Sequence, residues 1–146
     1  MAIAGDLHGA WSDQDNDLIE KINPDAILFV GDLSDGDIRF VKRIKQLTIP
    51  TAVMLGNHDR GSAKDGYQLK SQLDLLGEIN CSWRLREWEK PLVSVVGCRP
   101  CSPGGGYYLA DEVKAVFGPV TLQESIDRII NAASKPKLYR SGKKNL

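Results

Sequence analysis

Gly5-Asp6-Leu7-His8-Gly9, Gly31-Asp32-Leu33 and Gly56-Asn57-His58-Asp59 are the stretches on which the reading of this chain turns. Each follows a short apolar run and precedes a segment with helical spacing. Met1 to Ala4 reads as a first strand. Ala26-Ile27-Leu28-Phe29-Val30 is a second, and its unbroken apolar character predicts burial on both faces of a sheet. Thr51 to Leu55 is a third. Between the first two, Leu18, Ile19 and Ile22 place a helix from about Asp13 to Asn23, with Ser12 and Asp15 as a capping pair and Pro24-Asp25 as its stop. Ile38, Val41, Ile44 and Leu47 stripe a second helix ending before Pro50. Leu69, Leu73 and Leu76 stripe a third, which Gly77 caps. Strand and helix in strict alternation predict parallel βαβ units. The fold class is α/β: a βαβαβ sheet with flanking helices and the loops after the strands gathered on one edge.

The second half is less regular. Cys81 to Trp88 mixes aromatics with charges and reads as an outer strand, with Trp83 and Trp88 as packing residues; Leu92 to Val96 is an apolar strand. Residues 97–106 form a Pro/Gly-rich loop. Gly104-Gly105-Gly106 is a flexible connection, since no Lys-Ser/Thr follows to make a phosphate loop. Thr121 and Glu124 form a capping box ahead of Leu122, Ile126, Ile129 and Ile130 at helical spacing. After Ser134 the chain turns polar and basic. The organisation expected is one domain over residues 1–134 and a disordered tail over 135–146.

Composition is that of a globular domain: 146 residues, 42% hydrophobic and 26% charged. Lys+Arg and Asp+Glu are both 19, so net charge gives no reason to expect nucleic acid or an anionic membrane as partner. The basic tail reads as solvated. No apolar run approaches the roughly 20 residues of a membrane helix, and no signal peptide is expected before Gly5. Three cysteines, Cys81, Cys98 and Cys101, suggest free thiols in a reducing compartment such as the cytoplasm. Cys98-x-x-Cys101, with no second pair, is a weak zinc or redox signal.

The chemistry lies at the strand ends. Asp6 and His8 are two apart, and in extended chain both would point to one side and reach one ion. Asp32 comes from the next strand end, and a carboxylate can bridge two metals about 3.5–4 Å apart. Asn57 offers a neutral amide oxygen. These are hard oxygen and imidazole donors, suited to a divalent ion acting on phosphoesters. His58 can face a substrate, donating to a leaving alkoxide or stabilising charge on phosphoryl oxygens. Asp59 can hold the His58 imidazole in one tautomer and raise its pKa. Gly5, Gly31 and Gly56 each precede a candidate ligand, where backbone must pass close to a metal. Asp35 and Asp37 read as helix N-caps, with a role behind the ligands as the alternative; Arg60 reads equally as a phosphate contact or a solvated loop residue.

Asp-x-His, then Gly-Asp, then Gly-Asn-His-Asp, in this order and at strand ends, resembles the calcineurin-like metallophosphoesterase superfamily over roughly the first 60 residues. The resemblance implies the N-terminal part of a four-layer sandwich of two sheets flanked by helices. It implies metal ligation by Asp6, His8 and Asp32 at one ion, by Asp32 and Asn57 at a second, and His58 as the catalytic histidine with Asp59 beside it. The implied cofactors are two divalent ions, Mn²⁺, Fe or Zn²⁺, and the implied reaction is attack on a phosphoester by metal-bound hydroxide. Gly5 to Trp11 and Arg99-Pro100 are similar to a branch found in photosynthetic lineages, which would admit a plastid location. The chain departs from the family in one respect: it has two histidines in all, His8 and His58, where the family carries further metal-binding histidines downstream. The resemblance therefore implies a C-terminally truncated or degenerate domain as the alternative. Such a domain would hold one ion or none and be inactive alone, a weak metal binder or interaction module, unless a second chain supplied the missing ligands.

Overall fold

A computed structural model of the chain describes residues 1–62, 66–98 and 121–134. Strand β1 spans Ala2–Ala4, helix α1 Asp13–Ile22, β2 Ile27–Val30, α2 Ile38–Ile44, β3 Thr51–Met54 and α3 Tyr67–Leu76. A 3-10 turn covers His58–Arg60 and another Gly77–Ile79. Then come β4 (Leu85–Trp88), β5 (Val93–Val96) and α4 (Leu122–Ala133). The readings placed on Arg99-Pro100, Cys101, Gly104-Gly105-Gly106 and the tail 135–146 lie outside the described residues.

The first three strands form a parallel sheet in the order β1-β2-β3. Its register aligns Ala4 with Phe29 and Phe29 with Val53. That row faces the helices. Phe29 and Val53 join Ile27, Phe40, Val41, Ile44, Leu69, Leu73 and Leu76 in the core, and Phe40 meets Phe29 edge to face with ring centroids 5.8 Å apart. Period-two alternation in the strands and period-3.6 stripes on α2 and α3 bring these residues together.

The caps behave as their local chemistry dictates. Asp15 Oδ2 accepts from the Ser12 N–H at 2.7 Å, and Ser12 Oγ accepts from the Asp15 N–H. Asn23 then ends α1 in the left-handed conformation ahead of Pro24. Thr121 and Glu124 form the same reciprocal pair at the start of α4. That helix stays exposed at Leu122, Ile126 and Ile130, while Trp83 holds its other side through a hydrogen bond from Nε1 to Ser125 Oγ and the Arg128 guanidinium 4.5 Å from its ring. The outer strand is shorter than expected: the chain from Cys81 turns through a left-handed Trp83 before β4 begins at Leu85. β4 pairs antiparallel with β5.

One expectation fails. β2 is not buried on both faces: Ile27 and Phe29 are buried, Leu28 is half-buried and Val30 is 45% exposed. The row of Ile3, Leu28 and Ala52 faces away from the helices, and Ile3 is 66% exposed. Leu28, Val30, Ala52 and Met54 line a pocket on this face together with Val95 and Val96 of the β4–β5 hairpin. An apolar run records that its residues avoid charge; it does not record what covers them.

Candidate metal centre at the strand ends

The loops after β1 and β2 run side by side. Asp6 N–H donates to Gly31 O, Leu7 and His8 N–H both donate to Asp32 O, and Gly9 N–H donates to Leu33 O, at 2.7–3.0 Å. Within them Asp6, His8, Asp32 and Asp35 adopt left-handed backbone, with φ of 56°, 45°, 52° and 50°. Asp and His are among the side chains that tolerate this region, and such outliers gather at functional sites. Asp6 and His8 therefore converge because both residues are left-handed, not through the extended-chain geometry expected of an i, i+2 pair.

His8 is the hub. Its Nε2 is 3.0 Å from Asp6 Oδ1, and its Nδ1 is 2.8 Å from Asp35 Oδ1. The bond to Asp35 raises the His8 pKa above its ordinary value; partial burial opposes that, and the charges of Asp35 and Asp6 add to it. Single donor atoms of Asp6, His8 and Asp32 lie within 4.8 Å of one another, and so do those of His8, Asp35 and His58. The His58 ring meets that of His8 edge to face, with centroids 4.9 Å apart.

Asp32 is fixed from two sides. Its Oδ1 accepts from the His58 N–H at 2.9 Å, and a Cβ on Gly56 would fall 2.2 Å from the same oxygen. Glycine at 56 is thus a requirement of the carboxylate's position. Asn57 begins the 3-10 turn half-buried, and its side chain makes no capping bond.

Asp59 departs from its expected role. Its side chain points into the protein and is fully buried. Oδ1 accepts from Leu33 N–H and Ser34 N–H at 2.8 and 2.6 Å, Oδ2 accepts from Gly56 N–H at 2.7 Å, and Ser34 Oγ lies 2.9 Å from Oδ1. Gln72, buried on α3, donates to the Asp59 carbonyl at 2.5 Å and accepts from Ser34 Oγ at 2.6 Å. The carboxylate expected on the His58 ring instead ties the loops after β2 and β3 to each other. Asp37 is the N-cap of α2, as read from the sequence, accepting from Arg39 N–H. Asp35 is not a cap; it is the partner of His8, and the Asp35-Gly36 pair with both residues at positive φ is the local signal that could have separated it from Asp37. Arg60 is half-buried.

The parallel α/β unit thus carries, at the carboxyl ends of its strands, a cluster of carboxylates and imidazoles that could hold a metal ion. Residues 1–132 match the family described as calcineurin-like phosphoesterase, and the chain belongs to that family. No curated protein and no solved structure matches it. No helix among the described residues is long and apolar enough to cross a membrane.

Proposed function

We propose that this chain is a metal-dependent phosphoester hydrolase whose ion is held by Asp6, His8 and Asp32. Asn57 and a shared Asp32 are the ligands offered to a second ion. The observation that carries the reading is the convergence of Asp6, His8 and Asp32 donor atoms within 4.8 Å. One imidazole nitrogen and two carboxylates are hard donors that suit Mn²⁺, Fe²⁺ or Zn²⁺. Once bound, such an ion polarises a phosphoryl oxygen and lowers the pKa of water.

The residues prepare this. A His8 imidazolium donates at both nitrogens, to Asp6 and to Asp35. Loss of the Nε2 proton frees that nitrogen and Asp6 for an ion, while Nδ1–H stays on Asp35 and fixes ring and tautomer. Asp32 keeps its orientation through the His58 N–H, so the loop carrying His58 is tied to a ligand. The exposed His58 ring is free to approach a substrate and to donate a proton to a leaving oxygen or stabilise charge on phosphoryl oxygens. The substrate is a phosphoester, and the domain proposed covers residues 1–134.

The test uses the full chain loaded with Mn²⁺, with p-nitrophenyl phosphate as monoester probe and bis-p-nitrophenyl phosphate as diester probe. Asp32→Asn should abolish hydrolysis of whichever probe is cleaved; His58→Ala should cut turnover and leave metal stoichiometry intact. Parent-like hydrolysis by both variants would refute the assignment.

A second reading, a domain that binds one ion weakly and is inactive alone, is favoured by one observation: two histidines in the whole chain. Elemental analysis after Mn²⁺ loading separates the two. Two ions per chain favour the enzyme, and one or none favours the inactive domain.

A further inference from the structure

Away from the strand-end loops, three sulfur-bearing residues lie on neighbouring segments and line one pocket. Met54 ends β3, Cys81 follows the second 3-10 turn, and Cys98 lies just past β5. The backbone holds them in register: Cys81 N–H donates to Val53 O and Gly97 N–H donates to Cys81 O, each at 2.9 Å. Cys98 Sγ is 3.2 Å from Met54 Sδ. Cys81 Sγ lies against Gly97, where an added Cβ would approach it to 2.8 Å. All three residues line one apolar pocket of about 240 Å³ between the parallel sheet and the hairpin. Cys81 is buried and Cys98 exposed.

We propose that Cys81, Cys98 and Met54 form a second metal site, one that takes a soft monovalent ion, Cu(I). Two thiolates and a thioether are soft donors, the set that selects Cu(I) over the hard divalent ions suited to Asp6, His8 and Asp32. Structural Zn²⁺ sites close a tetrahedron with four protein ligands, and with three sulfurs Zn²⁺ would have to take a water as its fourth. The described residues around this pocket supply three sulfurs and otherwise Leu28, Phe29, Val30, Ala52, Val95, Val96 and Gly97, none with a side-chain donor. The charge balance is explicit. Cu(I) binds, the Cys81 and Cys98 thiols each release a proton to solvent, and the site changes from neutral to a net single negative charge. Burial is the main cause that pushes the Cys81 thiol up to about 11, so without an ion it stays protonated and inert. A bound ion would link the end of β3, the segment after α3 and the end of β5. It would therefore raise thermal stability by mass action.

The experiment titrates the reduced full chain anaerobically with Cu(I), in competition with a bathocuproine chelator, and counts ions by native mass spectrometry. One Cu(I) per chain is expected, with a near-ultraviolet thiolate-to-copper band and a raised melting temperature. Cys98→Ala should abolish the band. Met54→Leu, which keeps the volume, should weaken binding more than about tenfold, since even loss of an outer-shell partner costs 10–100-fold. Cys81→Ala should abolish binding, and Cys101→Ser should leave it unchanged. Parent-like affinity in Met54→Leu or Cys98→Ala, both outside the buried core, would overturn the proposal. So would loss of binding in Cys101→Ser, which would place the ion on Cys98 and Cys101 instead.

Discussion

Replacing Asp59 with Asn tests whether this carboxylate is the anchor of the site loops. The carboxylate accepts three backbone hydrogen bonds while fully buried. An Asn side chain keeps one acceptor oxygen. If that oxygen stays with Leu33 and Ser34, the new amide NH₂ faces the Gly56 N–H, donor against donor. One buried N–H is then unsatisfied, at about 1–3 kcal/mol, and the surviving bonds lose their charge assistance, which separates bonds of about 1.5–3 kcal/mol from neutral ones of about 1. The sum is on the order of 3 kcal/mol. For a chain of this size each kcal/mol moves the melting temperature by about 2–4 °C, so a fall of roughly 6–12 °C is expected. Urea and thermal unfolding followed by tryptophan fluorescence would measure it. His58→Ala is the control: the His58 ring is exposed, so stability should move by less than about 0.5 kcal/mol. If Asp59 acted through the His58 ring instead, Asp59→Asn would lower turnover as His58→Ala does while melting like the parent. That result would refute the anchoring argument.

Other substitutions probe the same architecture. Gly56→Ala places a Cβ 2.2 Å from Asp32 Oδ1 and 2.3 Å from Asp32 N; it should shift Asp32 and lower both Mn²⁺ stoichiometry and melting temperature, and unchanged values would show that the carboxylate has another place to go. Glu20 ties α1 to the segment before β3, accepting from Thr48 N–H and Thr48 Oγ1, and these bonds, led by the backbone one, hold its carboxyl below the ordinary value. Because the folded-state pKa is depressed, this contribution is present above the ordinary value near 4.5 and is lost as pH falls through the folded value. The melting-temperature gap between parent and Glu20→Gln should therefore be largest near neutrality and close in acid; a gap independent of pH would refute it. Iodoacetamide at pH 8 should label Cys98 well before Cys81, whose thiol burial pushes up to about 11, and Cys81 labelling should accelerate as pH rises toward that value. Equal labelling at pH 8, read by peptide mass spectrometry, would contradict the buried thiol.

Much of the fold was legible because its signals are local. Ser12 with Asp15 and Thr121 with Glu124 are contacts between residues three apart, and a capping box can be read without knowing the tertiary structure. The three parallel strands were legible from apolar runs punctuated by Gly-Asp and Gly-Asn. The cluster was legible as a list of donors and not as a geometry. His8 meets Asp35 across 27 positions, and Ser34 meets Gln72 across 38. No spacing rule encodes such pairs, so local pattern alone points to Asp35 as a cap and Asp59 as a partner of His58. The open face of β2 was illegible for a related reason. Leu28 and Val30 look the same in sequence whether a second layer covers them or not.

The site places its strain above its strongest support. Non-glycine residues in left-handed backbone cost on the order of 1–3 kcal/mol each, toward the low end for Asp and His. Asp6, His8, Asp32 and Asp35 together therefore cost on the order of 4 kcal/mol, a large share of the 5–15 kcal/mol that holds a domain. The exposed charge pairs among them cannot offset this, because salt bridges in water contribute about 0–1 kcal/mol. What can offset it lies underneath. The loop-to-loop backbone bonds from Asp6 through Gly9 fix one strand end on the next, and buried Asp59, with Ser34 and Gln72, fixes the second on the third and on α3. The proposed ligands are thus held by groups outside their own cluster, and the constellation is formed without an ion. An ion bound there would have to displace the Asp6–His8 contact but would not have to order the loops.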